Sequence, residues 1–127
     1  MSKILVLGVA GGSVIKTLVD EIQNLQIIID DAFEFVLKTN NKYDLIVIDV
    51  FQDTKMPNFL FETFFIERIC VLLNSNGFIL FNTMILNEKQ KQINLDYIKN
   101  FDVNKYNSRK PHLIDETNEL ILIESKF

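Results

Sequence analysis

Four groups of glycine or polar residues follow apolar runs in this chain, at positions where they could take part in chemistry. The first is the segment Gly8-Val9-Ala10-Gly11-Gly12, and the others are Asp30-Asp31, Asp49 and Asn82. Glycines at the start of a helix let backbone amides approach a ligand closely, and carboxylates accept hydrogen bonds from ribose hydroxyls or an adenine amino group. These residue types indicate a nucleoside-binding site if the fold brings them together.

The elements that must position these residues follow from the spacing of apolar side chains. Short apolar runs predict buried strands at 3–7, 24–29, 43–48 and 78–81, and two closing strands are expected at 101–106 and 119–124. Helical spacing predicts helices at 14–22, 32–38, 59–73 and 87–100, the last with Ile93, Leu95 and Ile98 turned inward. This alternation predicts an α/β fold in one domain over 1–127, with a mostly parallel sheet and helices on both faces.

Ligands of such sheets bind beyond the carboxyl ends of the strands, so all four groups are expected at one rim. We expect the ionised Asp49 to face this rim because burying an unpaired carboxylate is costly. Each group also has a purely structural interpretation. A tight turn between strand and helix needs glycine, and Asp30 or Asp31 would suit the N-cap of a helix that begins at Ala32.

Composition excludes several classes of function. The chain has 127 residues, 48% of them hydrophobic, and a net charge of -4 without a basic face, which argues against nucleic acid as a partner. Its apolar runs are too short for a membrane helix, and its first residues do not form a secretory signal, so we expect a cytoplasmic protein. With Cys70 as the only cysteine and His112 as the only histidine, it can form neither an internal disulfide nor a Cys/His metal site.

A group of apolar residues beyond the third predicted strand has three interpretations. It could form a pocket wall, the face of a homodimer, or part of the core, and helical spacing beside a sheet favours the core. The group consists of Phe59, Leu60, Phe61, Phe64 and Phe65.

Four segments together have the order and spacing of a known family. They read ILVLGVAGGS from Ile4, DAFEF from Asp31, YDLIVIDVF from Tyr43 and NGFILFN from Asn76. They resemble the spermidine-synthase-like branch of class I S-adenosylmethionine-dependent methyltransferases. The resemblance implies a Rossmann-like fold, S-adenosylmethionine as the cofactor, and a transferase acting on a small-molecule acceptor.

The resemblance also implies a role for each candidate residue. Gly8 to Gly12 would pass beside the methionine moiety, and Asp31 with Ala32 would hold the adenine. Asp49, with Val50 next to it, would lie beside the sulfonium centre and would be the catalytic residue.

The chain departs from the family pattern in two places. The family has a further strand, ending in an acid that binds ribose, and a further helix, for which there is no room between Ile22 and Asn24. Members that transfer aminopropyl groups carry Asp-x-x-Asp-Pro, whereas Gln52 occupies the second acidic position here. We therefore keep methyl and aminopropyl transfer both open, and we expect weakened cofactor binding unless Asp30 replaces the missing acid.

Two alternatives to an active transferase remain. The chain could be a catalytically inactive or truncated family member, because the absent segment would close one side of the nucleoside pocket. It could also be a nicotinamide-binding module, with Asp30 as the ribose acid about 20 residues beyond the glycines. We disfavour the second, because Ser13 stands where that fingerprint has its third glycine.

Overall fold

The computed structural model describes residues 3–8, 31–50, 56–114 and 116–127. The predicted helix at 14–22 and strand at 24–29 lie outside these ranges. The strands are β1 Ile4–Leu7, β2 Tyr43–Ile48, β3 Leu73–Met84, β4 Tyr106–Ser108, β5 His112–Leu113 and β6 Asn118–Ser125. The helices are α1 Ala32–Lys38, α2 Thr63–Val71 and α3 Glu88–Ile98, and a 3₁₀ turn covers Asn58–Phe61.

The described strands form one mixed sheet in the order β1-β2-β3-β6-β4, and β5 also pairs with β6. β1, β2 and β3 are parallel, and β6 runs antiparallel to β3. The carboxyl ends of β1, β2 and β3 therefore meet the amino end of β6 at one edge, which we call the rim. The rim is where Gly8, Asp49, Asn82 and Asn118 come together.

One face of the sheet is sealed by the described helices. Its side chains share one register across β1, β2, β3 and β6, and each is at most 6% exposed. Buried side chains of α1, α2 and α3 belong to the same core cluster. The sheet residues of this face are Leu5, Leu7, Ile46, Ile48, Ile79, Phe81, Thr83, Glu119, Ile121 and Ile123.

The opposite face is also apolar but less buried. Ile4, Val6, Leu80 and Leu122 are half-buried there, and Phe78 is 39% exposed. Because both faces carry apolar side chains, β1, β2 and the middle of β3 have near-continuous apolar sequences.

The predicted helix over 59–73 is wrong in its first part. Glu62 has extended backbone angles (φ -81°, ψ 139°) that separate the 3₁₀ turn from α2. The break lets two aromatic rings of the turn point to different neighbours. Phe59 packs against Phe65, whereas Phe61 packs against Phe81 of the sheet. Most of the apolar group at 59–65 belongs to the core, which was the favoured interpretation, although Phe64 remains 45% exposed.

The strand predicted at 78–81 is longer than expected. β3 begins at Leu73, continues through a register shift that includes Asn76 at φ 61°, and ends at Met84. Its extension past Phe81 results from antiparallel pairing with β6, down to Met84 opposite Asn118. Asn82 therefore lies within the strand and does not follow it.

The last predicted helix and the first closing strand also need correction. α3 buries Asn94 and Tyr97, while Leu95 points outward at 37% exposure. Residues 101–105 form a turn, because the amides of Lys105 and Tyr106 both donate to the carbonyl of Asp102. The closing strand accordingly starts at Tyr106.

No helix in the described part of the chain is long and apolar enough to cross a membrane.

Candidate active site

The ends of β1 and β2 approach each other so closely at the rim that only glycine fits at position 8. Gly8 has a φ of 90°, which side chains of L residues rarely tolerate. A Cβ atom placed there would lie 2.7 Å from the carbonyl carbon of Asp49 and 3.0 Å from the Cα of Val50. The first glycine of the predicted loop therefore directly contacts the segment that carries the candidate catalytic residue.

The Asp49 carboxylate lies at the carboxyl end of β2, and the residue as a whole is 8% exposed. Its backbone amide donates to the carbonyl of Leu7 at 2.9 Å, which fixes the Cα position. Its Oδ1 accepts a hydrogen bond from Nδ2 of Asn82 at 3.2 Å. No other group among the described residues donates a hydrogen bond to this carboxylate.

Burial raises the pKa of Asp49, and the hydrogen bond from Asn82 partly opposes this effect by stabilising the ionised form. A carboxylate with a raised pKa holds a proton more readily than an exposed aspartate does. Asp49 thus has the property needed in a group that accepts a proton during a reaction.

Asn82 is itself oriented by a third strand. Its Oδ1 accepts from Nδ2 of Asn118 at 3.3 Å, and the same Nδ2 lies 3.4 Å from the carbonyl of Thr83. The three side chains form a polar row across the rim from β2 to β6, and we call Asp49, Asn82 and Asn118 the rim row. Sequence reasoning placed the first two at the rim but missed Asn118.

Asp31 has the structural role that the sequence left open. Its Oδ1 accepts from the amide of Glu34 at 3.0 Å and so caps the amino terminus of α1. Ala32 and Val50 are half-buried and pack against the core cluster. The other proposed cofactor-binding residues, Val9, Ala10, Gly11, Gly12 and Asp30, lie outside the described residues, as does Gln52.

A second polar group, which the sequence analysis did not identify, lies on the opposite side of the same two strands. Nδ2 of Asn94 donates to Oγ1 of Thr83 at 2.9 Å and to Oε1 of Glu119 at 3.1 Å. Oγ1 of Thr83 donates to the carbonyl of Glu119, and Gln90 donates to Oδ1 of Asn94. These bonds fasten α3 to the sheet beside the rim. The polar pairs 82–83 and 118–119, at the ends of apolar strands, were the available signal.

The described residues include no group of three or more histidine, cysteine or acidic side chains that could hold a metal ion. His112 lies exposed on β5, opposite Leu120 of β6.

Comparison with known proteins identifies one sequence family. A family profile described as "Spermine/spermidine synthase domain" matches residues 4–115. Among curated protein sequences, none is a significant match.

Several solved structures share the fold. Human methyltransferase-like protein 13, crystallised with S-adenosylhomocysteine (SAH), superposes with a TM-score of 0.74 at 18% identity over 95% of this chain and 70% of that chain. The N-methyltransferase NodS of Bradyrhizobium japonicum, also with SAH, gives 0.64 at 14% identity over 98% and 78%. A spermidine synthase in complex with a transition-state analogue gives 0.67 at 15% identity, over 99% of this chain but 53% of that chain. These likenesses establish a shortened Rossmann-like methyltransferase fold.

Proposed function

The chain belongs to the spermine/spermidine synthase domain family, and we propose that it is an S-adenosylmethionine-dependent transferase that alkylates a small-molecule acceptor. The observation that carries this proposal is the Asp49 carboxylate at the rim, which accepts a hydrogen bond from Asn82 and whose backbone lies against Gly8. This class of fold binds its ligands beyond the carboxyl ends of the parallel strands.

The described residues fit such a cofactor by their chemistry. A sulfonium carries a positive charge, and the carboxylate of Asp49 supplies a negative charge in a poorly solvated position, where electrostatic attraction is strong. Gly8 allows the ends of β1 and β2 to meet closely at the rim, because it places no side chain between them. We infer that the loop beginning at Gly8 passes the methionine moiety and that Asp49 and Val50 border the reacting centre.

When bound, S-adenosylmethionine supplies an electrophilic carbon whose bond to sulfur breaks as the acceptor attacks, leaving a neutral thioether. Asp49 accepts the proton that the acceptor nucleophile loses, which its raised pKa favours. Holding the acceptor in line with the reacting carbon is the larger part of the rate enhancement expected for this reaction. No covalent enzyme intermediate is required.

The proposal is tested first by ligand binding. Calorimetric titration of the purified protein with S-adenosylmethionine, SAH and NAD should show binding of the first two and none of NAD. Binding of NAD alone would contradict the proposal and favour a nicotinamide-binding module. Absence of binding by all three ligands would contradict it as well.

Catalysis is tested with two aspartates at opposite ends of β2, Asp44 near its start and Asp49 directly after it. Asp49→Asn should lower the rate of alkyl transfer to a panel of diamines and other small nucleophiles far more than it lowers SAH affinity. Asp44→Asn is the matched control, because Asp44 contacts Lys3 and Asn74 at the end away from the rim. Binding of SAH without transfer in the unmodified protein would support a catalytically inactive family member instead.

A further inference from the structure

We propose that Asn82 is a positioning residue, which fixes the Asp49 carboxylate so that one of its oxygens is directed at the acceptor, and that Asn118 fixes Asn82 in turn. The inference rests on the proposed function of Asp49. It concerns the rim row, whose members come from β2, β3 and β6 and are 33 and 36 residues apart in sequence.

The orientation of the Asn82 amide follows from what its two ends face. An ionised carboxylate only accepts hydrogen bonds, so the NH₂ group of Asn82 must point to Asp49. The carbonyl oxygen then points to Nδ2 of Asn118, which is a donor. A flipped amide would place two acceptors together at one end and two donors at the other. Hydrogen bonds therefore run in one direction along the row, from Asn118 through Asn82 to Asp49.

This arrangement distinguishes the two oxygens of Asp49. Oδ1 is engaged by Asn82 at 3.2 Å, and the described residues provide no hydrogen bond to Oδ2. Rotation of the carboxylate would break the bond to Asn82 in a poorly solvated position, where an unpaired polar group is costly. Oδ2 is thus the oxygen available to take a proton from an acceptor.

The groups around Asp49 make its ionisation depend on Asn82. The uncharged amide of Asn82 bonds to it from β3, Asn118 of β6 bonds to Asn82, and Gly8, which follows β1, lies against the Asp49 backbone. Glu119 is adjacent to Asn118 in sequence but points to the opposite face of the sheet, where it bonds to Asn94. No charged side chain contributes to the pKa shift of Asp49 among the described residues. Loss of the amide donor should therefore raise this pKa further.

The first test replaces Asn82 by leucine, which has a similar size but no polar atoms. If the inference holds, Asn82→Leu lowers kcat about tenfold to a hundredfold, the effect of losing one hydrogen bond to a charged group. The KM of the acceptor and the affinity for SAH should change little, and the acidic limb of the pH–rate profile should move to higher pH. Asn118→Leu should act in the same direction but less, and the double variant should be no worse than Asn82→Leu alone.

A second readout is independent of catalysis. Carbon-13 NMR titration of the Asp49 carboxyl, assigned with Asp49→Asn, should show a higher pKa in Asn82→Leu than in the unmodified protein. If the protein transfers no alkyl group but this shift is seen, the proposed function fails while the positioning of Asp49 stands. An unchanged pKa and an unchanged pH–rate limb in folded Asn82→Leu would overturn the inference. If the leucine variant does not fold, Asn82→Gln takes its place: its longer side chain moves the amide nitrogen away from Oδ1, so the pKa of Asp49 should again rise.

Discussion

At the scale of single residues, the two aspartates of β2 have pKa values shifted in opposite directions by their surroundings. Burial raises the pKa of Asp49. The pKa of Asp44 is lowered, first by the backbone amide of Lys3, which donates at 2.8 Å, and then by Nδ2 of Asn74 at 3.1 Å. The surroundings thus disfavour the charged form of Asp49, at the carboxyl end of β2, and favour the charged form of Asp44, near its amino end. The first is suited to proton transfer and the second to fastening β1, β2 and β3.

These opposite shifts predict opposite effects on stability. The pKa of Asp49 is higher in the folded protein than in the unfolded chain, so ionised Asp49 lowers the free energy of unfolding at neutral pH. This destabilisation decreases as pH falls through the folded pKa, because Asp49 then becomes protonated in the folded protein. Asp49→Asn should therefore raise the melting temperature at pH 7, with a gain that shrinks on acidification. The pKa of Asp44 is lowered, so its contribution is present above the ordinary aspartate value of about 3.9 and is lost as pH falls through the folded pKa.

The measurement is thermal unfolding of both variants between about pH 3 and pH 8, a range that includes neutral pH and the ordinary aspartate pKa of about 3.9. Asp44→Asn should lower the melting temperature at pH 7 and converge with the unmodified protein at the acidic end. A fall in melting temperature for Asp49→Asn at pH 7 would contradict the assignment of burial as the dominant effect.

Gly8 is the residue at which backbone geometry and the site meet. Gly8→Ala forces a left-handed conformation, at about 1 to 2 kcal/mol, and presses Cβ against the backbone of Asp49 and Val50, which cannot move aside as a side chain could. We expect a loss of at least this size in urea denaturation, together with weaker SAH binding by the folded fraction. Gly8→Val should abolish that binding.

A matched control for this prediction exists at the other end of the sheet. A Cβ atom at Gly77 would lie 2.8 Å from the carbonyl oxygen of Asn74 and 3.0 Å from that of Asp44. Gly77→Ala should lose stability while folded protein keeps its SAH affinity. If Gly8→Ala also keeps full affinity, Gly8 is not part of the ligand site.

At the scale of elements, the seven-residue helix α1 depends for its stability on residues outside it. Helices this short are marginal in water, so the N-cap from Asp31 and contacts at the other end must stabilise it. The guanidinium of Arg68, from α2, donates to the carbonyl of Val36 through Nε at 2.8 Å and to the carbonyl of Thr39 through a terminal nitrogen. Carbonyls left without partners at the end of α1 thus receive donors from the neighbouring helix.

Removing this contact should weaken the pairing of α1 with α2. Arg68→Ala should lower the free energy of unfolding by about 1.5 to 3 kcal/mol, the range for hydrogen bonds to a charged group. Arg68→Lys should recover only part of it, because one ammonium does not reproduce the planar fork that reaches both carbonyls. Urea denaturation gives the energies, and hydrogen exchange should show the largest loss of protection in α1.

The control is the exposed Arg109, whose replacement by alanine should leave stability within about 0.5 kcal/mol. Equal effects of Arg68→Ala and Arg109→Ala would show that the bonds to α1 contribute little.

At the scale of the whole molecule, the parts of the fold that depend on local sequence were predictable and those that depend on distant contacts were not. The bounds of α1 and β2 follow from an N-cap and an apolar run, and both are confirmed. The inward position of Asn94 depends on Thr83 and Glu119, which are 11 and 25 residues away. The helix break at Glu62 similarly serves ring contacts with distant residues.

The same distinction holds for the candidate site. Gly8 and Asp49 end apolar strands, so their place at the rim followed from the expectation of parallel pairing. Asn118 joins them because β6 runs antiparallel to β3, and a polar residue at the start of a strand does not indicate the direction in which that strand pairs.

The number of residues between β1 and α1 limits what can hold a nucleoside. Residues 8–31 provide 24 positions. The complete family pattern needs two crossovers of at least about 10 to 12 residues each and two strands of about five. The sequence between β1 and α1 is therefore too short for the complete family pattern, and we expect the acid that binds the ribose hydroxyls in that family to be missing. Each hydrogen bond to such an acid is worth roughly 1.5 to 3 kcal/mol, and loss of both weakens binding by about a hundredfold or more.

We therefore predict that SAH binds weakly and that its ribose hydroxyls add little. Calorimetry should give SAH and its 2′-deoxyribose analogue dissociation constants within about threefold of each other, since a hydroxyl that meets only water gains no net hydrogen bond on binding. Asp30→Asn should leave both values unchanged. Tight binding of SAH with a much weaker 2′-deoxy analogue would contradict the prediction. If Asp30→Asn then removes the difference between the two ligands, Asp30 has taken the place of the missing acid, and the shortened chain retains a complete nucleoside pocket.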